Sequence, residues 1–108
     1  MNEVRFSGVL VERAALRFTP AGVPVVEAQI RHRSEVIEAG APRALEFVVS
    51  AIALGPVAVE LEREALGAQL QVSGFLAPRS RRSSRLVLHV TGYGSSTGIG
   101  RDATEGSG

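Results

Sequence analysis

The run Arg79-Ser80-Arg81-Arg82-Ser83-Ser84-Arg85 places four arginines among three serines in seven residues. Guanidinium groups make planar, two-pronged contacts to phosphate, and hydroxyls add neutral donors, so the run has the chemistry of a nucleic-acid backbone contact. The ordinary alternative is a solvated turn kept soluble by its charge. Arg31, Arg33 and Arg43 form a second set, with Arg13 and Arg17 expected near them in space; taken singly, each also fits a solvated strand residue. Single-strand binders add flat stacking partners to such charges. Aromatic residues make up only 5% of the chain. Phe6 and Phe75 fit core positions, which leaves Phe18, in a loop, and Phe47, whose apolar neighbours suit a core position as well as a stacking one. Arginine planes can supply some of the stacking.

Catalytic chemistry finds few residues. There is no cysteine, so thiolate nucleophiles, disulfides and cysteine metal sites are excluded. The two histidines, His32 and His89, lie on different segments without a carboxylate-rich partner motif and read as structural. No serine sits in a nucleophile elbow, and no glycine-rich loop with a following lysine cradles a phosphate. The chain is expected to be no enzyme and to need no cofactor or metal. Its net charge of +1 is nearly neutral, so distribution matters more than the total. All twelve cationic side chains are arginine, which a genomic codon preference explains as well as function does, and acids gather at Glu60, Glu62 and Glu64.

The elements that would position these residues follow from periodicity. Residues 4–13 alternate Val4, Phe6, Gly8 and Leu10 against Arg5, Ser7, Val9 and Val11, the period of a strand. Thr19-Pro20-Ala21-Gly22 has the proline-then-glycine order of a type II turn. Residues 25–33 place Val26, Ala28, Ile30 and His32 on one face and Glu27, Gln29, Arg31 and Arg33 on the other. Residues 34–44 mix charge with Gly40 and Pro42 and read as a long mobile connection. The apolar run 45–54 fits a strand covered on both sides, though periodicity alone also allows a helix. Pro56 and Gly67 bracket a short helix over 56–66. Residues 69–77 and 86–93 are two further strands, joined by the arginine run. From Gly94 onward glycine, serine and threonine dominate, so a domain over 1–94 with a disordered tail over 95–108 is expected. No apolar stretch is long enough to span a bilayer, and no export signal is visible at the N-terminus, so a cytoplasmic protein is expected.

Five strands with one short helix between the third and fourth is the order of an all-β, Greek-key OB-fold barrel. Asn2 to Gly8, Pro20-Ala21-Gly22-Val23-Pro24, His32-Arg33-Ser34-Glu35, Gly74-Phe75-Leu76 and Leu86-Val87-Leu88-His89, in this order and spacing, resemble primosomal replication protein N, the PriB family of bacterial replication restart. The resemblance covers about residues 2 to 93. It implies the OB fold of bacterial single-stranded DNA-binding protein, a homodimer, and action beside the helicase PriA at stalled forks, with other primosome proteins as further candidate partners. It also implies site residues. The family's basic residue in the first hairpin loop matches Arg17, with Thr19 at a neighbouring hydroxyl position; the one closing the second strand matches Arg33, the one before the third strand matches Arg43, and the basic hairpin loop matches Arg79, Arg81, Arg82 and Arg85. One departure is notable. Where one member of the family places a stacking tryptophan in the third strand, an ungapped match gives this chain Glu46, and the aromatic neighbour in the preceding loop becomes Ala41.

The expected function is therefore single-stranded DNA binding that stabilises PriA on forked DNA. A general single-stranded DNA-binding protein is disfavoured by the ending Asp102 to Gly108, which has little acid and no apolar anchor. An OB-fold scaffold whose arginines meet acidic proteins is the rival of another class.

Overall fold

The computed structural model describes residues 1–95. The expectation of a disordered tail falls almost wholly outside the described residues.

The chain runs β1 (Val4–Arg13), β2 (Arg17–Phe18), β3 (Pro24–Glu38), β4 (Ala41–Leu54), α1 (Pro56–Glu62), β5 (Gln69–Pro78) and β6 (Leu86–Ser95). The sheet order is β1-β5-β6-β4-β3-β2, and an additional β1–β3 pairing closes five long strands into a barrel with the two-residue β2 as an appendage. All pairings are antiparallel except β4 with β6. This is the expected OB arrangement. The expected alternation supplies its interior: Leu10, Val26, Ala28, Ile30, Leu70, Val72, Leu88 and Val90 are buried, with Leu61 and Ala58 of α1 packed against them. Removing each large aliphatic side chain from water contributes about 1.5–3 kcal/mol.

Four expectations change. Residues 34–44 are not a connection: β3 and β4 run on as one long hairpin, paired from Val25↔Leu54 to Glu38↔Ala41. Its tip is only Ala39 and Gly40, with φ of 54° and 80°, the two positive values that a tight hairpin turn demands. Charge and Pro42 suggested a loop, but a hairpin arm that extends beyond the barrel tolerates both. For the same reason the run 45–54 is not covered on both sides: only its second half enters the barrel, and Phe47 and Val48 are 45% and 54% exposed. The helix stops at Glu62 rather than 66, with the Arg63 N–H closing its last turn on the Glu60 carbonyl and the Glu64 N–H on the Leu61 carbonyl, each at 3.1 Å. The turn at 19–22 is not type II, because Gly22 carries the positive φ and Ala21 does not; the Gly22 N–H donates to the Thr19 carbonyl at 2.8 Å, as in a type I turn followed by a left-handed glycine.

Among the described residues no helix is long and apolar enough to cross a membrane.

Candidate nucleic-acid interface

Cross-strand partners share a face of a sheet, so the register assigns each side chain to the inside or the outside of the barrel. On β3 the outward set is Glu27, Gln29, Arg31 and Arg33, opposite Ile52, Ser50, Val48 and Glu46 of β4. Two loops flank this face. From the first, β2 pairs Arg17 with Val25. From the second, Arg79 leads into the turn that joins β5 to β6, closed by the Arg79 N–H on the Arg85 carbonyl at 2.9 Å.

Both loops meet at Glu27. Arg17 donates to its Oε2 at 2.9 Å and Arg79 to its Oε1 at 3.4 Å. The hydrogen bond from Arg17, with the charges of both guanidinium groups, holds the Glu27 carboxyl below its ordinary value. Glu27 therefore fixes two long cationic side chains from separate loops over the outside of one strand. Arg81, Arg82 and Arg85 are exposed in the loop, whose backbone is braced by Ser83: its Oγ accepts the Arg85 N–H at 3.0 Å.

The other expected residues divide. Arg31 and Arg33 are exposed and line a shallow groove with Ser7, Val9 and Gln69 on the outside of the barrel. The Arg33 guanidinium lies 3.9 Å from the Glu46 carboxylate, so the acid at the third-strand position offsets one of the cations on this face. Arg43 and Phe47 belong to the opposite face of the hairpin, because they pair with Val36 and His32. Arg43 forms an ion pair with Glu38. Phe47 rests tilted on the His32 ring at 5.0 Å, and His32 in turn meets Phe6 edge-on. Arg13 is half-buried, donates to the Glu64 carbonyl and lines a pocket with Glu27. The Thr19 hydroxyl accepts the Val23 N–H at 3.1 Å and so serves its own turn. Phe18 is 62% exposed. The structure thus gathers Arg17 with Arg79, and Arg31 with Arg33, on the outer surface; Arg13 shares a pocket with the Glu27 that holds the first pair, and Arg43 lies on the other face of the hairpin.

Two features escaped the sequence reading. Glu27 as the joint between loops was hidden because its partners lie 10 and 52 residues away, although its place in the outward alternation was visible. Phe75 is not a core residue: it is 38% exposed and stacks on His89, with ring centroids 4.9 Å apart and planes within 11°. The signal was present, since Leu70, Val72 and Gly74 inside oblige Phe75 to face out. Among the described residues no group of His, Asp and Glu could hold a metal ion.

Comparison with known proteins bears on this surface. A sequence profile of the family described as "Another single-strand binding protein family" matches residues 2–92. The replication restart protein PriB of Bordetella pertussis is 46% identical over 90 residues, covering 83% of this chain and 84% of that protein. The crystal structure of PriB from Ralstonia solanacearum superposes with a TM-score of 0.81 at 36% identity, covering 89% of this chain and 98% of that one. The single-stranded DNA-binding protein of Thermus aquaticus, at 20% identity and a TM-score of 0.75 over 93% of this chain and 52% of its own, shares the fold.

Proposed function

Because the chain belongs to the single-strand binding protein family and to the PriB replication restart proteins, we propose that it binds single-stranded DNA as a primosomal protein and stabilises the PriA helicase on forked DNA. The observation that carries this reading is the convergence of Arg17 and Arg79 on Glu27, with Arg81, Arg82 and Arg85 exposed in the turn that Arg79 opens. Phosphates of an extended strand meet cations from both loops across the outside of β3. In this reading the protein catalyses nothing; its contribution is to hold a strand that a helicase then uses. It works in the cytoplasm, as a homodimer.

Salt titration of a labelled oligonucleotide tests the DNA half. Affinity that falls linearly with salt on logarithmic axes, with preference for single strands over duplex, supports it; absence of binding at low salt overturns it. The lifetime of PriA on a forked substrate, with and without the protein, tests the other half, and an unchanged lifetime overturns that.

Glu46 favours a second reading. It stands on the outward face beside Arg33, where a carboxylate repels phosphate, so the surface also suits a scaffold whose arginines meet acidic side chains of a partner. Competition between oligonucleotide and purified partner separates the two.

A further inference from the structure

A row of side chains crosses the outside of four strands: Phe75 of β5 pairs with His89 of β6, His89 with Ile52 of β4, and Ile52 with Glu27 of β3. Glu27 is the carboxylate that both Arg17 and Arg79 bind, so the arginine pair and the Phe75–His89 stack occupy the two ends of one row that runs around the outside of the barrel. Arg79 also follows Phe75 by four residues, an even number, roughly 13 Å along the strand direction. Beside the stack opens a cleft of ≈ 400 Å³ lined by Leu54, Pro56, Val57, His89 and Thr91, with no acidic side chain in its wall. A large aromatic ring held partly in water within an apolar cleft calls for an occupant.

Resting on the single-strand-binding reading, we propose that the Phe75–His89 pair is a base-stacking platform, taking a nucleobase of the same strand whose phosphates Arg17 and Arg79 hold. Three observations favour a base over a protein partner. The two rings lie almost parallel, so they present flat aromatic area rather than an irregular pocket. The platform continues the row that begins at the paired arginines. Glu46 puts a negative charge beside Arg33 on the outer face of β4, whereas the cleft beside Phe75 bears no negative charge to repel the strand. Stacking tolerates every base, so the platform adds affinity without sequence preference.

The chain has no tryptophan, and Phe75→Trp therefore installs a single reporter on the platform. Titrating that variant with a single-stranded oligonucleotide should quench its emission, as a ring covered by a base does. Phe75→Ala should weaken binding about five- to hundredfold. Phe75→Leu, which keeps the apolar bulk, should weaken it as well. Neither should change the dependence of affinity on salt, because the ring meets no phosphate. Circular dichroism checks that each variant is folded.

If the parent binds oligonucleotide while Phe75→Ala and Phe75→Leu bind as tightly, and Phe75→Trp emission stays unmoved, the platform is wrong and the function stands. A parent that does not bind at all overturns the function with it. If affinity falls together with the salt slope, or only together with a loss of dimer in sedimentation, the effect runs through the arginine loop or through an interface between copies, and the platform is again wrong.

Discussion

Glu27 is the residue on which the charged surface turns. Its carboxyl is held down by Arg17 first and by the charge of Arg79 next. A group whose pKa is lower folded than unfolded adds stability above its ordinary value of 4.5, and that increment is lost as pH falls through the folded value. Thermal unfolding between about pH 3 and about pH 6 should therefore show an acid-side loss that Glu27→Gln reduces. The increment is small, because the guanidinium and carboxylate side chains are more than a third exposed. The same replacement frees two arginines and removes a negative charge beside the strand. Oligonucleotide affinity should then rise, by roughly fivefold at low salt if the phosphate gains about 1 kcal/mol; weaker binding would show that Glu27 orders the arginines more than it competes for them.

The arginine loop gives the complementary experiment. Replacing Arg79, Arg81, Arg82 and Arg85 together by Ala should weaken binding to all sequences alike and lower the salt slope by up to about 0.7 for each phosphate no longer held. An unchanged slope and affinity would make the loop a solvated turn. The four arginines were legible in the sequence because a seven-residue run needs no fold to bring it together. The sequence groups Arg43 with Arg31 and Arg33 because 34–44 reads as a loop, and it leaves Phe47 between core and stacking; a difference of one residue in register moves a side chain to the other face of a strand. Only the pairing of Val36 with Arg43 and of His32 with Phe47 shows which face they take.

At the scale of elements, alternation located four of the five barrel strands, since half-buried strands write their period directly into the sequence, and the apolar run 45–54 marked the other. The hairpin arm was missed because neither of its faces is buried at the tip, so no alternation marks it: Glu35, Val36, Ile37 and Glu38 are all exposed. A close approach of backbone to backbone in the barrel is also an element property. Register shifts between Ser73 and Gly74 on β5, and a Cβ placed on Gly74 would sit 1.9 Å from the His89 carbonyl oxygen. Backbone cannot yield that distance as a flexible side chain would. Gly74→Ala should therefore cost about 3 kcal/mol in urea denaturation. Gly94→Ala, where nothing lies within 4 Å, should cost far less. Equal effects would mean that the irregularity between β5 and β6, where Thr91 is skipped in the pairing, relaxes freely. A second long-range tie has the same character. The Tyr93 hydroxyl of β6 donates to Glu64 beyond α1 at 2.9 Å; burial, with that hydrogen bond, pushes its pKa up.

At the scale of the whole molecule, the barrel is closed but β1 keeps one edge open. Its residues Val4 to Val9 pair with β5, whereas pairing with β3 begins only at Val9. Among the described residues no strand is paired in the ladder with the other edge of Val4–Gly8. The Ser7 carbonyl faces that edge, where His32 Nδ1 reaches it at 2.6 Å. Backbone groups alternate sides along a strand, so Arg5 presents its N–H and carbonyl to the same open edge. An unpaired edge flanked by the half-buried Val4 and Phe6 is a template for a second strand, and the symmetric solution is β1 against β1 of another copy. Sedimentation at micromolar concentration should accordingly report a mass twice that of the chain. Arg5→Pro removes one edge N–H that the barrel itself does not use, and should shift the equilibrium towards monomer while circular dichroism keeps its strand signature. A parent protein that sediments only as monomer would leave the edge to solvent, and the DNA surface would then be the 79–85 loop and the outside of β3 of a single barrel.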